Sequence, residues 1–91
     1  MIDWSMDELE STIDARLQVG DTILIAYIYE IPALTKTWHS SIGLYEAHSD
    51  ERQVFLSTNM ASFTEIIAWT EEHIKAQMHI KLIETVEESY T

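Results

Sequence analysis

The most apolar stretch of the chain is Thr22–Ile31, TILIAYIYEI, with four isoleucines, a leucine and two tyrosines in ten residues. Side chains of a strand alternate between faces. Ile23, Ile25, Tyr27, Tyr29 and Ile31 then share one face, and Leu24, Ala26 and Ile28 share the other. Both faces are mainly apolar, so the pattern predicts a central strand covered at least partly on both sides. Gly20-Asp21 before it and Pro32 after it punctuate its ends. Two more strands are expected, over 37–48, with Gly43 marking a bulge or bend, and over 53–58. Pro32–Lys36 and Ser49–Arg52 are the connections, short enough to make the three an antiparallel meander.

Two stretches carry helix-start chemistry. Ser5-Met6-Asp7-Glu8 fits a capping box, with Trp4 and Leu9 at the spacing of a hydrophobic staple. Met6, Leu9, Ile13 and Leu17 recur at a period near 3.6, which predicts a first helix over 5–18 that stops at Gly20. Ser62-Phe63-Thr64-Glu65 is a second capping box and opens a helix over 62–78. Its inner face is expected to hold Phe63, Ile66, Ile67, Thr70, Ile74 and Met78, with Trp69 and His73 on its shoulder. In 79–86, HIKLIETV, apolar residues alternate among β-branched ones, which predicts a fourth strand.

The expected fold is a two-layer α+β domain spanning 1–91, in the order α-β-β-β-α-β. A right-handed crossover through the second helix brings the fourth strand beside the first. The sheet order becomes 3-2-1-4, with both helices on one face and the other face left open, apolar and in need of a cover.

Charge narrows the partners. Sixteen acids against five bases give a net charge of −11. Residues 1–30 hold seven of the acids and a single Arg. A field of this sign repels nucleic acid and anionic membrane and attracts basic surfaces. The five bases are scattered singly, so direct nucleic-acid binding is not expected. The chain lacks cysteine, which removes disulfides, thiol nucleophiles and cysteine metal sites. No signal-peptide pattern opens it and no apolar run approaches the roughly 20 residues of a membrane span. A cytoplasmic setting is the resulting expectation.

No reaction is named by any motif. His39, His48, His73 and His79 do not fall at metal-ligand spacing, and neither a metal nor a cofactor is expected. His39-Ser40-Ser41 puts a base beside two hydroxyls in sequence, but adjacent strand residues point to opposite faces. The paired carboxylates Glu71-Glu72 and Glu87-Glu88 read as solvated charge. A small enzyme is therefore the minority reading.

The leading reading is a non-catalytic acidic module that binds a protein with a basic surface. One form of it is an inhibitor whose carboxylates imitate the charge of nucleic acid. The alternative is a small homodimeric adaptor, resembling a secretion chaperone in character, that binds through its apolar sheet face. The expected partner-binding residues are Asp7, Glu10 and Asp14, an unbroken acidic row on the first helix, with Trp69 and His73 on the second.

Overall fold

Strict alternation builds the beginning of the chain. Ile2, Trp4 and Met6 alternate with Asp3, Ser5 and Asp7, and Ile13, Ala15, Leu17 and Val19 alternate with Thr12, Asp14, Arg16 and Gln18. In the computed structural model these two runs are antiparallel strands, β1 (Asp3–Asp7) and β2 (Thr12–Val19). Residues 1–34, 36–45 and 52–89 are described, those after 84 as backbone alone. The chain continues through β3 (Thr22–Glu30), β4 (Trp38–Tyr45), β5 (Arg52–Met60) and one long helix, α1 (Phe63–Ser89). The five strands form one antiparallel sheet whose spatial order follows the chain, β1-β2-β3-β4-β5.

This overturns the expected order α-β-β-β-α-β. The strands expected near 22–31, 37–48 and 53–58 are present as β3, β4 and β5, though residues 46–48 lie outside the described part. The helix expected over 5–18 is instead the β1–β2 hairpin. Its capping signal has another use: the Asp7 carboxylate accepts the backbone N–H groups of Leu9 and Glu10, at 3.0 and 3.1 Å. That is the hydrogen bonding of a side chain closing a turn, and it employs the same residue types as a helix cap. Leu9, assigned to the buried face of a helix, sits at the tip of this turn, 97% exposed. Gly20, assigned as a helix stop, has φ 60° and opens the two-residue turn between β2 and β3. A positive φ at the first turn position suits a right-twisted hairpin, and glycine adopts it without strain.

The fourth strand and the 3-2-1-4 order are also absent. β2 occupies the place beside β3 that the fourth strand was expected to fill. Residues 79–86 continue α1, since neither Gly nor Pro follows Met78 to stop it. The expected start of this helix is in place: Ser62 Oγ accepts the N–H of Glu65 at 3.2 Å.

The core lies between α1 and one face of the sheet. Ile74 and Met78 bury themselves against Ala15, Leu17, Leu24, Ala26 and Ile42, and Ile66 and Ile28 are buried as well. Two polar groups are buried with them. Thr70 Oγ1 donates to Ile66 O at 2.8 Å, so its single proton is used, and Ser40 Oγ donates to Thr70 Oγ1 at 2.6 Å. Burial of both hydroxyls is thereby compensated. α1 packs on β2, β3, β4 and β5 but does not reach β1. Met6, on the helix side of β1, therefore stays 67% exposed.

The cap at Ser62 and the strand position of Ser5 make opposite expectations for one substitution. Ser62→Ala should lower stability by about 1 kcal/mol through loss of the cap. Ser5→Ala, on an exposed strand face, should change it by less than about 0.5 kcal/mol. Denaturant titration of both variants checks this, and an equal loss in the two would contradict the hairpin.

Candidate functional site

The sheet face away from α1 was expected to be apolar, and it is mixed. One pairing row runs Ser5–Asp14–Tyr27–Ser41–Ser57 across the five strands, and beside it lie the pairings Asp7–Thr12 and Tyr29–His39–Asn59. Arg52 lies over this face. Its Nη1 donates to Ile25 O at 2.9 Å and to Ser41 O at 3.1 Å, and Nη2 donates to Ser41 Oγ at 3.0 Å. The guanidinium also stands 4.4 Å from the centre of the Tyr27 ring. Room for this comes from Gly43, where a Cβ would stand 2.5 Å from Arg52 Cγ. The register shifts by one residue between Ile42 and Gly43, leaving Phe55 of β5 without a partner. Arg52 is thus committed to main-chain carbonyls and to a ring. It fastens β5 to β3 and β4 and offers little to a ligand.

Three other groups of the face interact. His39 Nδ1 donates to Asn59 Oδ1 at 2.6 Å, and the His39 ring tilts against Tyr29 with centroids 5.2 Å apart. The Tyr27 hydroxyl is pushed above its ordinary pKa, chiefly by its hydrogen bond with Tyr45 and then by burial. The Asp14 carboxyl is also raised, first by burial and then by the negative charge of Asp7, with Thr12 and Arg52 opposing. Its Oδ1 is covered and has no hydrogen-bond partner among the described residues.

A concave site lies at one end of the sheet, where the β1–β2 turn meets the start of β4. Two adjoining clefts, of about 300 and 520 Å³, share Ser11, Thr12 and Trp38. The smaller is walled by Met6, Ile13 and Trp38, with Asp7 and Glu8 at its edge. The larger adds Tyr29 and Pro32, with Glu10 and Glu30. No Lys or Arg lines either one. Register explains the gathering: Thr12 stands opposite Asp7, and Trp38 stands opposite Glu30. The Trp38 ring is held from the helix side by Phe63, centroids 4.8 Å apart. Ser11 closes the turn at φ 55°.

The expected site residues divide among three places. Asp7 and Glu10 edge the clefts. Asp14 lies half-buried on the mixed face, diagonal to Asp7 across the β1–β2 pair, with its Oδ1 covered. Trp69 and His73 belong to α1, on the other side of the sheet. They stack on each other with centroids 4.4 Å apart, Trp69 against the core, and His73 Nδ1 donates to Trp69 O at 2.8 Å. The five therefore do not form one surface. Trp38, Ile13 and Met6 were not among them, because only the hairpin brings 6–13 beside 38. Among the described residues no three His, Asp or Glu side chains converge on a common metal position, and no helix is long and apolar enough to cross a membrane. His48 and the side chains of Glu87 and Glu88 lie outside the described part.

Comparison of the chain with protein-family models, with curated proteins and with solved structures finds no match.

Two outcomes follow from the mixed face. Gly43→Ala should drive Arg52 off Tyr27 and Ser41, because the new methyl group would stand 2.5 Å from its Cγ. We expect a loss of roughly 1–3 kcal/mol from the displaced charged hydrogen bonds and the crowding. A denaturant midpoint equal to that of the parent would show that the arginine relaxes freely. Asp14 supplies a pH dependence. Its folded pKa lies above its unfolded one, so the native state takes up this proton more readily, and the ionised form destabilises the fold at neutral pH. That penalty fades as the pH falls through the raised pKa toward the ordinary carboxylate range near 4. Asp14→Asn should thus be more stable than the parent at pH 7, with a difference that narrows on acidification. Paired melts at pH 7 and near pH 4 read it, and a gain that grows on acidification would refute the assignment.

Proposed function

We propose that this protein is a non-catalytic, cytoplasmic binding module that takes a basic segment of a partner protein into the clefts at the end of its sheet. The observation that carries this reading is the composition of those clefts. Their walls are apolar, from Met6, Ile13, Trp38 and Pro32, and their edges carry Asp7, Glu8, Glu10 and Glu30 with no cation among the lining residues. An apolar pocket fixes a large side chain, and carboxylates around it select Lys or Arg on either side. The segment favoured is therefore a bulky apolar residue flanked by basic ones.

Imitation of nucleic acid is a special case of this reading, in which the segment belongs to a nucleic-acid-binding surface. The acidic helix that first suggested a phosphate-like row does not exist. The carboxylates gather about a hollow, which favours a short segment of chain over an extended groove. A binding role accounts for the apolar walls and the acidic edges together.

The test is titration of the protein with a synthetic peptide carrying one Phe between pairs of Lys and Arg. A peptide of the same length with Glu for each base is the control. The basic peptide should bind more tightly, and its affinity should fall steeply with added salt. Glu8→Lys with Glu10→Lys should weaken it by roughly tenfold or more, on the scale of one lost charge pair. Both residues are exposed in the turn, so the fold should survive their reversal. Equal affinity for the two peptides, or no effect of the double reversal, would sink the reading.

A further inference from the structure

The two edges of the sheet differ in a way the clefts do not explain. β1, at one edge, is five residues long and carries Asp3 and Asp7. β5, at the other, is nine residues long, with no proline, lysine or acid. Its single charge, Arg52, is turned inward onto Ile25 and Ser41. Free strand edges are ordinarily blunted by charge, proline or brevity, because their unpaired N–H and C=O groups recruit further strands. β1 has such protection. β5 has the inward Arg52 and the bulge at Phe55, both in its first half, and beyond them Leu56–Met60 is regularly paired with β4 on its inner side and with nothing described on its outer side.

We propose that two copies of this chain pair antiparallel along β5, about a two-fold axis at Thr58, to make one continuous sheet. Charge identifies a second copy as the occupant. The chain carries −11, so copies repel over most of their surface, yet 31–45 and 52–64 contain no Asp or Glu at all. β1, β2 and β3 each carry at least one Asp or Glu and β4 and β5 carry none, so paired β5 strands bring no carboxylate of one strand against a carboxylate of the other. The strand is also complementary to itself. An axis at Thr58 sets Leu56 opposite the second copy's Met60 on the helix side, and Ser57 opposite its Asn59 on the mixed face. Thr58 then meets Thr58, a favourable cross-strand pair. Closed two-fold pairing leaves no β5 edge exposed.

The experiment is sedimentation equilibrium of the full chain over a concentration series, with hydrogen exchange at the two ends of that series. The parent should be a dimer that dissociates on dilution, and the amides of 56–60 should lose protection as it does. Ser57→Lys and Ser57→Glu each place like charges on both sides of the axis, and each should weaken the dimer by roughly tenfold. Mixed in equal amounts, the two variants should recover a heterodimer, an outcome that damage to the fold would not produce. A monomeric parent at high micromolar concentration overturns the proposal. So does a dimer indifferent to both charges, or one whose dilution leaves 56–60 unchanged. Peptide binding in the clefts is read separately, by titration and by charge reversal at Glu8 and Glu10, so the two proposals fail separately.

Discussion

A single helix has to cover a sheet wider than itself. A helix with its side chains is about 10 Å across, and strands stand about 4.8 Å apart, so five of them span nearly twice that width. α1 is seated over the middle, where Ala15, Ala26 and Ser40 are small enough to admit it closely. The hydroxyl relay from Ser40 through Thr70 to Ile66 O fixes it over β4. What the helix cannot reach sets the rest of the surface. β1 is left out, Met6 stays in water, and the hollow beside Trp38 stays unfilled. The candidate site is the uncovered remainder of the core.

The interior of the sheet was legible and its first edge was not. β3 announces itself by its isoleucines, and Gly43 correctly marked irregular pairing in the next strand. In 1–19 two periods competed. Met6, Leu9, Ile13 and Leu17 satisfy a helical repeat, but Ile2, Trp4 and Met6, and then Ile13, Ala15, Leu17 and Val19, satisfy an alternating one with fewer exceptions. The helical choice was favoured by Ser5 and Asp7, whose side chains suit a cap and a turn equally well. Leu9 was the discriminating residue: the helix needs it buried, and the hairpin leaves it at a tip. The tail erred in the opposite direction, where β-branched composition outweighed the lack of any residue able to end a helix.

Part of the site could be anticipated from charge alone, because Asp7 and Glu10 lie in the most acidic third of the chain. Their apolar counterpart could not. Trp38 is 27 residues or more from the turn it faces, and no local pattern relates them. Trp69 and His73 were drawn in by residue type, yet they satisfy one another on the helix. Aromatic side chains in so small a protein are mostly consumed in building it, and Trp38 differs in having one side of its ring held by Phe63 while another borders a cleft.

The sheet order has a consequence for synthesis. Every strand pairs with the one made just before it, so contacts are short in sequence and each hairpin can close as it leaves the ribosome. The helix that covers the core is made after all five strands of the sheet, and it is 27 residues long. Through that interval the nascent sheet presents Leu17, Leu24, Ile28 and Ile42 to solvent. Translation therefore passes through a state with an open greasy side, and the seven acids of residues 1–30 are already present to keep neighbouring nascent chains apart.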